Sequence, residues 1–79
     1  MDLSKFRIQV WKDDLSFYGV PGTGDIVTNA MVIDCYQVEE QIVVIAKLDD
    51  VVWQIITETD VAIGDIISAI KRDGRYYST

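Results

Sequence analysis

Histidine is absent from this 79-residue chain, and cysteine and proline occur only once each. The absence of histidine excludes Ser-His and Cys-His nucleophile pairs and every histidine-ligated metal site. A lone cysteine, Cys35, excludes an internal disulfide, on which small secreted domains commonly depend. Cys35 stands in an apolar segment with no candidate base, so we expect a small core residue rather than a nucleophile.

Basic residues are also scarce, since 7 of them stand against 13 acidic ones and the formal net charge is -6. This sign disfavours binding to nucleic-acid backbones and to anionic membrane surfaces, and it attracts a basic protein partner. The apolar runs are too short to cross a bilayer, and the start of the chain shows no signal-peptide pattern. We therefore expect a cytoplasmic protein with no membrane partner and no cofactor.

Hydrophobic residues, by contrast, make up 49% of the chain. The length predicts a single domain over residues 1–79. A domain of this size buries only about 60% of the surface that its unfolded chain exposes. Such a supply of apolar side chains indicates either a well-packed core or apolar surface that meets a partner or a second copy of the chain.

Alternating or β-branched apolar residues predict four strands, separated by turn-forming residues. The turns are Glu39–Glu40 and Asp49–Asp50, and a loop rich in glycine and aspartate covers Lys12–Asp25. For the second strand, a helix that starts near Thr28 stays open as an alternative. The predicted strands are Phe6–Trp11, about Asn29–Val38, Gln41–Leu48 and Val51–Thr57.

The last third of the chain predicts a helix. Thr57 and Asp60 have the spacing of a capping box, and Gly74 suits the position beyond a helix C-terminus. Isoleucines recur between them at helical spacing, at positions 63, 66, 67 and 70. The predicted fold class is therefore α+β, a four-stranded antiparallel β-meander with one C-terminal helix packed on one face, in the order β-β-β-β-α.

Two short motifs resemble ligand-binding sequences, but other features of the chain argue against binding of those ligands. The segment Gly19–Gly24 resembles a nucleotide-binding P-loop, but Asp25 and Ile26 stand where the P-loop has lysine and then serine or threonine. The segment Lys71–Tyr77 mixes basic and aromatic residues, as single-strand binders do, but the net charge opposes that partner. We expect neither nucleotide binding nor direct nucleic-acid binding.

The predicted topology gathers acidic side chains at both edges of the sheet, and the protein would dock on a basic partner through these edges or through the apolar sheet face that the helix leaves uncovered. The two groups are Asp13, Asp14, Asp25, Asp49 and Asp50 at one edge and Glu39, Glu40, Glu58 and Asp60 at the opposite edge. The sequence therefore favours a non-catalytic protein-protein interaction module, acting alone or as a homodimer, of the type of small acidic phage or mobile-element inhibitors. One alternative is a nucleic-acid-mimicking inhibitor of a DNA- or RNA-binding protein. Another is a small homodimeric enzyme or ligand-binding protein with an inter-subunit pocket. No catalytic or metal-ligating residue is predicted, and the candidate binding residues are Trp11, Asp13, Asp14, Asp25, Asp49, Asp50 and Trp53.

Overall fold

The computed structural model describes residues 11, 12 and 14–79, and every regular element in that part of the chain is a β-strand. The predicted α+β class is wrong, because the described residues contain no helix. Of the predicted strand Phe6–Trp11, all but Trp11 lies outside the described residues. The strands are β1 (Val20–Pro21), β2 (Ile26–Val38), β3 (Gln41–Leu48), β4 (Val51–Thr57), β5 (Ile66–Arg72) and β6 (Arg75–Ser78).

The strands form a barrel. β2, β3 and β4 make an antiparallel meander, and β5 returns to pair with β2, which is the strand order of a Greek key. β6 pairs with β5 and, in parallel, with β4, so that β2 to β6 close into a ring. β1 lies outside this ring, parallel to the start of β4. A five-stranded Greek-key barrel is the architecture of the OB-fold.

The chain segment predicted as a helix is instead a loop followed by the β5–β6 hairpin. Gly64 has a φ of 101°, which an α-helix does not tolerate, and β5 begins two residues later. Asp73 and Gly74 have φ values of 53° and 80°, as a two-residue type I′ turn requires. The pair Asp-Gly is a strong hairpin signal, and it outweighs the reading of Gly74 as the residue that ends a helix.

β2 is a strand over its whole length, so the alternative of a helix from Thr28 is wrong. Its pairing shifts register between Val27 and Ala30 and again between Val32 and Asp34. Such irregularities bend a strand, and the bend lets β2 pair with β5 along its first half and with β3 along its second. The strands β3 and β4 have the bounds that the sequence predicts.

The barrel interior is filled by inward-facing side chains of four of the five strands of the ring. Alanines lie where β2, β3 and β5 approach one another, and larger residues fill the remaining space. On the opposite face of β3 and β4, Val43, Ile45 and Val52 are also completely buried. These two strands are therefore covered on both faces. The interior residues are Val27, Ala30, Val32, Val44, Ala46, Trp53, Ile55 and Ala69.

Candidate functional site

A cleft opens beside β4, on the edge that faces away from β3. β1 pairs there with Val51 and Val52, and β6 pairs with Ile55 and Ile56. Among the described residues, no strand flanks the two positions between these pairs. The resulting cleft has a volume of about 370 Å³, which lies within the range of ligand sites. This β4-edge cleft is lined by Trp11, Lys12, Asp14, Leu15, Pro21, Gly22, Val52, Trp53, Gln54, Gly74, Arg75 and Tyr76.

Trp53 forms the boundary between the barrel core and the cleft. Its side chain is only 8% exposed, and its Nε1 is buried without a hydrogen-bond acceptor among the described residues. Gly22 packs against this edge of the indole and lines the cleft as well. A buried N–H without an acceptor costs about 1–3 kcal/mol, so the wall of the cleft contains an unsatisfied donor.

The charged groups of the cleft are of both signs. The guanidinium of Arg75 lies over the ring of Trp11, with 3.9 Å between its carbon and the ring centroid. Asp14 Oδ1 accepts a hydrogen bond of 2.9 Å from the backbone N–H of Ser16. Hydrogen bonds from Ser16 lower the pKa of Asp14, which keeps the carboxylate ionised. A cation and an anion therefore both border the cleft.

Hydrogen bonds to Gln54 hold the segment that carries Trp11 against β4. The Lys12 N–H donates to Gln54 Oε1 at 3.0 Å, and Gln54 Nε2 donates to the Lys12 carbonyl at 2.8 Å. Tyr36 also donates its hydroxyl to Gln54 Oε1, and burial raises the pKa of Tyr36 to about 12. The amide of Gln54 is thus used internally and has a positioning role.

A second surface lies on β2 and β5, on the side that faces away from the barrel interior. Ile26 pairs with Ile70, and Met31 pairs with Ile66, so that four apolar side chains form two cross-strand pairs. Their exposed fractions range from 45% to 70%. We call these four residues the β2–β5 face. The two apolar pairs lie on either side of Ser68, whose hydroxyl accepts a hydrogen bond from the Asn29 N–H at 3.2 Å. Large exposed apolar residues concentrated on one side of a domain are typical of interaction sites.

The structure brings three of the predicted site residues together, since Trp11, Asp14 and Trp53 all line the β4-edge cleft. Arg75 and Gly22 line it too but were not predicted as site residues. Arg75 belongs to the mixed basic and aromatic stretch in the sequence, and Gly22 belongs to the glycine-rich loop. These two sequence patterns were the signals from which Arg75 and Gly22 could have been predicted as site residues.

The other predicted aspartates lie apart from this group. Asp49 and Asp50 form the β3–β4 turn, beside the stretch of β2 that pairs Met31 with Lys47. Asp25 precedes β2, and its carbonyl accepts a hydrogen bond from the Lys71 N–H at 2.7 Å. The predicted gathering of Asp25 with Asp49 and Asp50 at one sheet edge stays a prediction, and Asp13 lies outside the described residues.

Other kinds of site find little support in the described part of the chain. Burial raises the pKa of the Cys35 thiol, which packs against the core. No group of three or more cysteine, aspartate or glutamate side chains is arranged to hold a metal ion among the described residues. The segment that resembles a P-loop leads into strand β2 rather than a helix. The described residues also contain no helix with the length and hydropathy that a membrane span requires.

Comparison of the chain with protein-family models, with curated proteins and with solved structures finds no match. The fold alone does not indicate a function, because the same barrel serves many unrelated ones. The functional argument therefore rests on the cleft and on the β2–β5 face.

Proposed function

We propose that the protein is a non-catalytic protein-binding module that docks through the β2–β5 face. The observation that carries this proposal is the double cross-strand pairing of large apolar side chains on an uncovered side of the barrel. Ile26 is 70% exposed and Ile66 is 56% exposed, although burial of an isoleucine contributes about 1.5–3 kcal/mol. A partner that covers these side chains would gain this contribution.

The charge distribution supports a basic partner over a second copy of the chain. Asp25 directly precedes Ile26 and Asp65 directly precedes Ile66, while Lys71 and Arg72 directly follow Ile70, so charges of both signs flank the face. Two copies would each bring a net charge of -6 to the contact. Like net charges oppose such a dimer, whereas a basic protein is attracted to the chain as a whole. The single half-buried cysteine suits a reducing compartment, and we place the binding in the cytoplasm.

The outer face of β3 and β4 provides an argument for a protein partner and against an oligonucleotide. OB-fold barrels that bind oligonucleotides use the outer face of their second and third strands, which correspond here to β3 and β4. In this chain Val43, Ile45 and Val52 on that face have no exposed surface. Gln54, on the same face, is bound to Lys12 and Tyr36. That face therefore offers no open platform for bases.

The test compares two variants of the chain in binding to one partner. A partner captured from a lysate of the source cells is purified, and its Kd is measured by calorimetry. The double variant Ile66→Ser/Ile70→Ser removes half of the β2–β5 face, and Phe17→Ser is the control. Phe17 is 91% exposed and belongs to the loop before β1, so its loss removes a similar apolar area elsewhere.

We expect the double variant to weaken binding by at least about 30-fold, since buried apolar anchors commonly contribute more than 1 kcal/mol each. Phe17→Ser should leave the Kd unchanged, and added salt should weaken binding by the wild-type chain. A Kd that the double variant does not change would contradict the proposal. So would a homodimer in light scattering that Ile66→Ser/Ile70→Ser dissociates, because the face would then be covered by a second copy.

A further inference from the structure

We propose that the β4-edge cleft binds a small carboxylate with an apolar body. The carboxylate would pair with Arg75. The apolar body would lie against the two tryptophans. This site is separate from the β2–β5 face, since none of the four residues of that face lines the cleft. The inference therefore does not depend on the proposed function.

The donors of the cleft indicate an oxyanion. The guanidinium of Arg75 lies over the ring of Trp11, with its carbon 3.9 Å from the ring centroid. The N–H groups of a guanidinium form a fork that matches the two oxygens of a carboxylate. The indole N–H of Trp53 has no acceptor, but Gly22 covers it, so it is not a donor to the ligand. Recognition of the carboxylate therefore falls to Arg75.

The walls and the size of the cleft indicate the rest of the ligand. Leu15, Pro21 and Val52 line it together with the two tryptophans and Tyr76, so half of its twelve lining residues are apolar or aromatic. A volume of about 370 Å³ lies near the lower limit for ligand sites, which run from about 300 to 1,000 Å³. A ligand with one ring or one branched chain suits this volume.

Asp14 distinguishes two forms of this ligand. Its carboxylate lines the cleft and accepts hydrogen bonds from Ser16. An ammonium group on the ligand would pair with this carboxylate, as the α-amino group of an apolar amino acid would. A plain carboxylate would leave Asp14 in water. Both forms share the carboxylate and the apolar body, and the test separates them.

The test uses the indole N–H signals of the ¹⁵N-labelled chain. The chain has two tryptophans, and both line the cleft, so each indole signal reports on the site directly. The probes are phenylacetate, phenylalanine and 2-phenylethanol, which carry the same ring with an anionic, a zwitterionic and a neutral head group. The variant is Arg75→Gln. Its matched control is Arg72→Gln, because Arg72 stacks on Tyr77 at 4.4 Å and lies outside the cleft.

We expect phenylacetate or phenylalanine to shift the Trp53 signal saturably, with a Kd below about 10 mM, which corresponds to a weak complex. 2-Phenylethanol should bind at least tenfold more weakly. Arg75→Gln should weaken phenylacetate binding at least tenfold, and Arg72→Gln should not. Tighter binding of phenylalanine than of phenylacetate would assign the ammonium to Asp14.

Three results would overturn the inference. The first is the absence of any saturable shift with the two carboxylates. The second is equal affinity for 2-phenylethanol, which would leave an apolar cleft without anion recognition. The third is a folded Arg75→Gln variant that binds phenylacetate as the wild type does. The comparison of probes on the wild-type chain decides the matter even if Arg75→Gln fails to fold.

Discussion

Gly22 packs against the indole of Trp53 so closely that no side chain fits at residue 22. A Cβ built on Gly22 would lie 2.7 Å from Trp53 Cδ1 and closer still to Nε1 and Cε2. The Gly22 N–H donates to the Val52 carbonyl at 2.7 Å, which holds the backbone in this place. The close approach of the loop backbone to an aromatic ring therefore explains the glycine at residue 22.

The first prediction concerns this contact. Gly22→Ala should lower the free energy of unfolding by about 1–3 kcal/mol, because the added methyl group displaces the indole or the loop. Urea denaturation measures the change, and tryptophan fluorescence should shift in the folded variant. Thr23→Ala, at the exposed neighbouring position, is the control and should stay within about 0.5 kcal/mol of wild type. Equal stability of the two variants would show that the loop does not press on Trp53.

A second prediction separates the β5–β6 hairpin from a helix. Asp73 has a φ of 53°, which a β-branched residue adopts only at a cost. Asp73→Val should therefore destabilise the protein by about 1–2 kcal/mol, whereas Asp73→Gly should cost nothing. Thermal unfolding of the two variants is the measurement. In the last turn of a helix the order would be reversed, since glycine costs more than valine there.

The third prediction contrasts two isoleucines. Ile55 is completely buried in the barrel, whereas Ile70 is 45% exposed on the β2–β5 face. Ile55→Ala should cost about 2–5 kcal/mol of unfolding free energy. Ile70→Ala should cost less than about 1 kcal/mol, because its side chain supports little of the isolated fold. Chemical denaturation tests both, and a large loss in Ile70→Ala would mean that this side chain belongs to the core.

The fourth prediction concerns alkaline pH. Burial raises the pKa of Tyr36 from its ordinary value of 10 to about 12, so the folded state favours the protonated phenol. The corresponding stability is complete below about pH 10 and is lost as the pH rises towards 12. In Tyr36→Phe the fall of unfolding free energy over this range should be shallower than in the wild type. Tyr77→Phe is the control. An identical fall of unfolding free energy in all three proteins would show that Tyr36 does not contribute to the pH dependence of stability.

The sequence predicts the strands β3 and β4 because their turns and β-branched runs are local signals. It fails at Ile66–Arg72, where Ile67 and Ala69 face the interior while Ile66 and Ile70 face outward. Apolar residues on both faces remove the alternation that identifies a strand and leave a spacing typical of a helix. The surface that we propose for docking is thus itself the cause of the wrong prediction, as is expected where function conflicts with local pattern.

The cleft could not be predicted from the sequence either, but for a different reason. Its two tryptophans are 42 residues apart, and both line it because hydrogen bonds between Lys12 and Gln54 hold the chain at Trp11 beside β4. No short segment of the chain encodes such a contact between distant residues. Single candidates such as Trp11 and Trp53 could be selected by residue type, but not their partnership with Arg75.

The most direct test of the docking proposal is the isoleucine methyl spectrum of the labelled chain, recorded free and in complex with its purified partner. We predict that the signals of Ile26, Ile66 and Ile70 change strongly on binding, while those of the buried Ile45 and Ile55 change little. If instead these three signals stay unchanged when the complex forms, the β2–β5 face is not the docking surface.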